Sequence, residues 1–194
     1  MPRRSTRQLW ADKLSGKSTG KAGNSPIPNF QRTPFRGIVL GVDPSLRGTG
    51  IALLQFIPGE PAKLLHSHTI KVARKYSQAD CLAEIARTIF ATVESITIRH
   101  VAIEETIYVQ NFQTAQVLGA ARGAAIAAAA VLGKPIFEYA PLRVKQAVVG
   151  VGRASKEQVA RTVMGLMGMS DALEHDQSDA AAVALCHAFT SYVD

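Results

Sequence analysis

The sequence predicts an α/β domain: a five-stranded mixed β-sheet, three strands in a meander followed by two parallel strands, flanked by helices. Three observations predict it. Short β-rich runs separated by turn residues fill the stretch from residue 37 to residue 70. The hydrophobic period then lengthens from two to that of a helix over residues 77–95. From there strands and helices alternate to the end of the chain, an order that lays helices on both faces of a sheet.

Each element follows from local pattern. Residues 37–43 and 49–56 are β-rich and joined by "PSLRG", which reads as a hairpin. Residues 62–70, "AKLLHSHTI", form a third strand introduced by the turn "IPGEP". In residues 77–95, Leu82, Ile85, Ile89 and Val93 fall on one side of a helix. "HVAIE", residues 100–104, is a short buried strand, and a long helix follows over about residues 111–132. "KPIFEY" is the fifth strand, and helices follow near residues 141–148, 156–167 and 176–192.

A chain of 194 residues that is 47% hydrophobic can bury one sizeable core. Its net charge of +7 is unevenly placed. Residues 1–36 carry eight Lys and Arg against the single acid Asp12, which is the whole excess, and the remainder balances 14 basic with 14 acidic residues. Residues 1–36, rich in Ser, Thr, Gly, Pro, Lys and Arg, read as a disordered basic N-terminal arm, and residues 37–194 as the folded domain. The arm lacks the apolar segment of a secretory signal; an organelle transit peptide is the lesser alternative to a cytoplasmic chain. Cys81 and Cys186 read as reduced, buried thiols. The apolar run "VLGAARGAAIAAAAVLG" is alanine-dominated and interrupted by Arg122, which points to a buried helix and not a membrane span.

Two buried-looking strands end on acids, "LGVD" on Asp43 and "VAIE" on Glu104. A small residue stands two positions before each, Gly41 and Ala102, on the same face of its strand, leaving room beside the carboxyl. In "EHDQSDAAAVALCHAF", Asp176 and Asp179 are three apart at a helix start and share a helical face. Plainer roles exist for each: Asp176 as N-cap with Asp179 in a capping box, Asp43 closing an Asx-turn, Glu104 as a surface acid beside Glu105. Were the four carboxylates to converge, hard divalent cations would be needed to offset their repulsion. Oxygen-only ligation favours Mg²⁺ or Mn²⁺, and two such ions can hold the attacking and leaving oxygens of a phosphodiester.

Long segments of the chain resemble the RuvC family of Holliday junction resolvases, ribonuclease H-like nucleases. The resemblance is carried by "GVDPSLRGTG", by "LGAARG", "FEYAP" and "VKQAVVG.G.A.K.QV" with the distances between them, and by "DQSDAAAVALCH". It spans roughly residues 37–189 and leaves the arm outside. It implies a ribonuclease H-like nuclease domain and a homodimeric, metal-dependent endonuclease that cuts four-way DNA junctions during recombination and repair, leaving 5′-phosphate and 3′-hydroxyl ends. It also implies a bacterial, nucleoid-associated location and branch-migration proteins as partners. Carried over by position, Asp43, Glu104, Asp176 and Asp179 match the catalytic and metal-binding acids, with Mg²⁺, two ions per site, as cofactor and Mn²⁺ as substitute. Some relatives have histidine in place of Asp176; His175 stands one position earlier and is a lesser candidate. Lys145 and Lys156 match lysines that contact DNA.

The chain departs from the family pattern in places. Ile107 stands where a junction-stacking aromatic is common, with Tyr108 beside it as the candidate replacement. Ser45 stands where many relatives have glycine. Arg153 joins Lys145 and Lys156 as a phosphate contact around the Gly-rich "VVGVGRASK", a stretch that lacks the spacing of a nucleotide-binding P-loop. His66, His68, His100 and His187 read as structural. Part of the alanine-rich helix around Arg122 and Gly123 becomes, by resemblance, a dimer interface. Two alternatives stay open: a ribonuclease H-like nuclease acting on another branched or structured nucleic acid, and a non-catalytic junction-binding protein.

Overall fold

The computed structural model describes residues 34–106 and 111–191. Five strands form one sheet: β1 (Gly37–Asp43), β2 (Gly48–Phe56), β3 (Lys63–Lys71), β4 (His100–Glu104) and β5 (Ile136–Tyr139), in the order β3-β2-β1-β4-β5. β1–β2 and β2–β3 pair antiparallel, while β4 joins β1 and β5 joins β4 in parallel. Among the described residues five helices follow: α1 (Gln78–Ser95), α2 (Phe112–Val131), α3 (Pro141–Val149), α4 (Lys156–Met167) and α5 (His175–Thr190). This is the mixed sheet that the sequence predicts.

Strand parity sorts the core into two layers. Leu40, Val42, Ile51, Leu53, Val101 and Ile103 face α1 and α2, whose contribution includes Ile85, Ile89 and four alanines. Val39, Ala52, Leu54 and Ala102 face the opposite way, onto α3, α4 and above all α5, in which residues 180–187 are all buried. By the same parity Asp43 and Glu104 project toward the α5 layer. Capping boxes start α1 at Ser77 with Asp80 and α4 at Ser155 with Gln158. Pro141 opens α3, and Gly150, with φ of 87°, closes it in the left-handed conformation.

Three features differ from the sequence reading or refine it. Phe35, two residues ahead of the domain boundary drawn from composition, is buried against Phe56, His100 and His187. Scattered aromatics in a polar, Pro-containing stretch leave no periodicity to find. α2 is a 20-residue helix with mean hydropathy 1.3, long and apolar enough to cross a membrane by length and composition, which the 17-residue run understated. Here Ala121, Ala125, Ala128 and Ala129 pack it against the sheet layer, and Arg122 pairs with Glu138 of β5. Cys81 and Cys186 are free and buried, and burial pushes the Cys186 thiol up to about 11.

Candidate active site

Asp43 and Glu104 end neighbouring parallel strands. The register pairs Val42 with Ile103, so the two acids come next, side by side, about 4.8 Å apart across the sheet. Facing them is the first half of α5, drawn down by missing side chains. A Cβ on Gly41 would collide with the Ala180 carbonyl and lie 3.0 Å from the Ala184 Cβ; one on Gly50 would collide with the Asp176 carbonyl. The space beside the acids, expected from Gly41 and Ala102, is thus occupied by the backbone of α5. Gly48 and Gly50, two apart on one strand face, allow the same close approach of Asp176 to β2.

Further contacts hold the start of α5 at this sheet end. Ser67 Oγ donates to Gln177 Oε1 at 2.8 Å, and Lys71 pairs with Glu174 at 2.8 Å. The β1–β2 turn is closed by Thr49, whose hydroxyl donates to the Ser45 carbonyl and accepts from the Ser45 N–H. Asp176 is not a cap: Glu174 is the N-cap residue, without a side-chain capping bond, and Asp176 lies inside the first turn. The capping-box alternative for Asp176 and Asp179 therefore falls.

Asp43, Glu104, Asp179, Lys145 and Lys156 line one cleft of about 270 Å³, together with Pro141, Val144, Val159 and Ala182. Lys156, the first residue of α4, sets its Nζ 3.5 Å from Asp179 Oδ2. Asp176 stands at the edge of this group. Its Oδ2 lies 3.2 Å from where a Gly48 Cβ would be, toward the β1–β2 turn, though its charge still reaches Asp43. His175 is exposed at the first position of α5, and Arg153 is exposed in the loop between α3 and α4. Tyr108 and Ile107 lie outside the described residues.

The electrostatics of the cleft are those of crowded acids. Burial raises the Asp43 carboxyl to about 6; Asp179 and Asp176 add to the rise, against a hydrogen bond with Glu104 and the charge of Lys156. Burial raises Glu104 to about 8, with the Asp43 charge and hydrogen bond adding to it. The hydrogen bond between the two carboxyls favours the charged form of Asp43 and the protonated form of Glu104. Lys156 moves up, chiefly because of Asp179. Among the described residues no three of His, Cys, Asp and Glu enclose a ready metal site. The donor chemistry nevertheless fits a hard divalent cation: oxygen donors only, pressed together, with burial and mutual repulsion raising Asp43 and Glu104. His100 and His187 lie elsewhere, bonded to each other at 2.8 Å.

Comparison with known proteins leads to one family. A family described as Crossover junction endodeoxyribonuclease RuvC matches residues 39–187. A crossover junction endodeoxyribonuclease RuvC from Halorhodospira halophila is 38% identical over 150 residues, covering 77% of this chain and 89% of the relative. Its counterpart from Trichlorobacter lovleyi is 41% identical over 153 residues, covering 77% and 83%. Among solved structures, T. thermophilus RuvC in complex with Holliday junction substrate superposes with a TM-score of 0.75 at 32% identity, over 79% of this chain and 94% of that one. With the ribonuclease H-like sheet and its strand-end acids in place, these matches make the chain a member of the RuvC family of crossover junction endodeoxyribonucleases.

Proposed function

We propose that this chain resolves four-way DNA junctions by metal-dependent phosphodiester hydrolysis, with Asp43, Glu104, Asp176 and Asp179 as its catalytic acids. The observation that carries the reading is the convergence of Asp43, Glu104 and Asp179 with Lys145 and Lys156 in one cleft of a family member. Asp43, Glu104 and Asp179 are the residues that would hold Mg²⁺ or Mn²⁺, with Asp176 available at the edge. When bound, two such ions supply charge stabilisation to the attacking and leaving oxygens of an in-line displacement.

The chain's own groups have separable tasks. Asp43 and Glu104 stand at adjacent strand ends, where a bound cation would offset their mutual repulsion and admit an anionic strand. Lys156 orients Asp179 and, with Lys145, offers positive charge to a backbone phosphate entering the cleft. Arg153, exposed on the loop before α4, extends that cationic edge. Tyr108, next to the family's aromatic position held here by Ile107, is kept as the replacement stacking residue by that adjacency alone. The expected products carry 5′-phosphate and 3′-hydroxyl ends.

The same reading includes a homodimer, supported by the surface of α2. Phe112 and Val131 are 74% and 78% exposed, and a Cβ on Gly119 or Gly123 would meet nothing within 4 Å. Positions 112, 119, 123 and 127, with Gln116 between the first two, therefore form an open stripe of mostly small residues where a second helix can approach closely, and a two-fold pair suits a junction with two-fold related arms. Light scattering should return twice the chain mass, and Gly123→Arg should return the monomer mass without lowering the melting temperature.

The experiment for the activity is cleavage of a mobile four-way junction, a duplex, a flap and an RNA–DNA hybrid, with Mg²⁺ and with chelator. Cutting of the junction alone, abolished by chelator, is the expected result. Preference for the hybrid or the flap would move the protein to another substrate, and junction binding without cutting would make it a non-catalytic junction binder.

A further inference from the structure

The catalytic end of the sheet has a second cationic surface, on the side away from Lys145 and Lys156. Crossing the sheet end from the acids, Asp43 of β1 pairs with Gly50 of β2, Gly50 with Thr69 of β3, and Gly48 with Lys71. Thr69 is therefore two strands from Asp43, and the chain leaves β3 two residues further on at Lys71, about 12 Å from Asp43 at the usual strand spacing and rise. The chain there reads Lys71-Val72-Ala73-Arg74-Lys75-Tyr76, exposed throughout except for Val72.

This loop is braced by the turn that follows Asp43. Arg47 accepts from the Val72 N–H through its carbonyl at 3.3 Å. Its guanidinium donates to the Ala73 carbonyl at 2.7 Å and to the Tyr76 carbonyl at 3.0 Å. The Tyr76 N–H closes the turn onto the Ala73 carbonyl at 3.1 Å. Carbonyls bracketing residues 74 and 75 are thus held by a side chain four residues from Asp43. The two cations between them point outward: among the described residues neither Arg74 nor Lys75 pairs with an acid, and the Lys75 ammonium stands over the Tyr76 ring at 5.3 Å. The nearby acids are occupied, Asp80 by the Ser77 cap, Glu84 by Arg87 and Glu174 by Lys71.

Isolated surface lysines are usually only solvated. Two uncommitted cations on a loop fastened to the catalytic turn are a different arrangement, because their position relative to the cleft is fixed before any ligand arrives. About 12 Å along a duplex spans roughly three to four phosphates of one strand. We infer that the Arg47-braced loop carrying Arg74 and Lys75 is a second docking surface for the phosphate backbone of a duplex arm, flanking the cleft opposite Lys145 and Lys156. This rests on the reading of the chain as a DNA nuclease, and it adds where the arm lies.

The test is junction binding against salt, without divalent ions, for wild type, R74A/K75A and a control, K63A/K134A, which removes the same charge at the opposite end of β3 and ahead of β5. Each lost phosphate contact lowers the slope of log K against log salt by about 0.9, so R74A/K75A should lower it by about 1.8. The affinity deficit of this variant should then shrink roughly twelvefold between 50 and 200 mM salt. The control should keep the wild-type slope. An unchanged slope in R74A/K75A, or an equal loss in the control, overturns the inference. A wild-type chain that binds but does not cut the junction would instead refute the proposed activity, and the two failures are distinct.

Discussion

Where β4 begins and α5 finishes, polar side chains are withdrawn from solvent and fully answered; where β1 and β4 finish, they are half-buried and set against one another. At the first site His187 has no exposed surface, yet its Nδ1 meets the Tyr139 hydroxyl at 2.7 Å and its Nε2 meets His100 Nδ1 at 2.8 Å. Phe35 and Phe137 wall the pair in. Burial pushes His187 down to about 4, with His100 adding to the fall, so the network is neutral and needs nothing from outside. At the second site Asp43 and Glu104 are raised to about 6 and about 8, and only a cation or a proton can relieve them. Satisfied burial of polar groups builds structure, whereas unsatisfied burial marks a place kept for a ligand.

The largest effect should come from removing charge at the unsatisfied end. Asp43→Asn or Glu104→Gln should lower junction cleavage by on the order of 10³-fold or more while leaving junction affinity within a few-fold, since a ligand oxygen is lost and a repulsion relieved. Single-turnover cleavage beside a binding titration reads both. Normal cutting by either variant would detach the acids from the chemistry. The opposite end should answer in stability. His187→Ala leaves a cavity and strands the Tyr139 hydroxyl and His100 Nδ1, which should cost roughly 3 kcal/mol, about 6–12 °C in melting temperature. Cleavage measured well below the transition should stay within a few-fold of wild type.

What the sequence made legible follows the same division. Asp43 and Glu104 could be read because a strand has period two, and Gly41 and Ala102 mark their face. The sheet order could be read because meander and alternation permit few topologies. The His100–His187–Tyr139 chain could not: its members lie 87 and 48 residues apart, and each sits in a pattern that explains it as ordinary core. Asp176 was ambiguous because an acid at a helix start has a local use, and only the placement of Glu174 as N-cap removes that use. Arg47 was invisible as a brace, since its partners are backbone carbonyls 26 and 29 residues away and carbonyls leave no trace in residue type.

A smaller effect joins the two regions through the helix that both share. α5 runs from the crowded acids to the neutral histidine, and Gly50 lets its first turn touch β2. Gly50→Ala would drive a Cβ into the Asp176 carbonyl, so the start of α5 must lift while its end stays anchored by His187. Misplacing Asp179 and Asp176 by a fraction of an ångström to an ångström should lower cleavage roughly 10- to 100-fold. The melting temperature should fall by a few degrees, as for a mild overpacking of about 1–2 kcal/mol. Loss of stability with no loss of cleavage would mean that the position of α5 does not set the catalytic geometry.

The smallest effect is a difference in pH dependence between the two ends. Asp43 and Glu104 have folded values above their unfolded ones, so their contribution is complete below about pH 4 and is lost as pH rises through about 6 and about 8. His187 has a folded value below its unfolded one, so its contribution is present above about pH 6.5 and is lost as pH falls toward about 4. Below pH 6 the two trends oppose; between pH 6.5 and 8.5 the carboxyls act alone. In chelator, urea unfolding of the wild type should therefore show a fall of about 2 kcal/mol across that upper window, while Glu104→Gln stays nearly flat. Mg²⁺ at pH 8.5 should restore the wild type and do little for the variant. A flat wild-type profile would mean that Asp43 and Glu104 are not buried against each other, and the contrast between the two ends of the sheet would disappear with it.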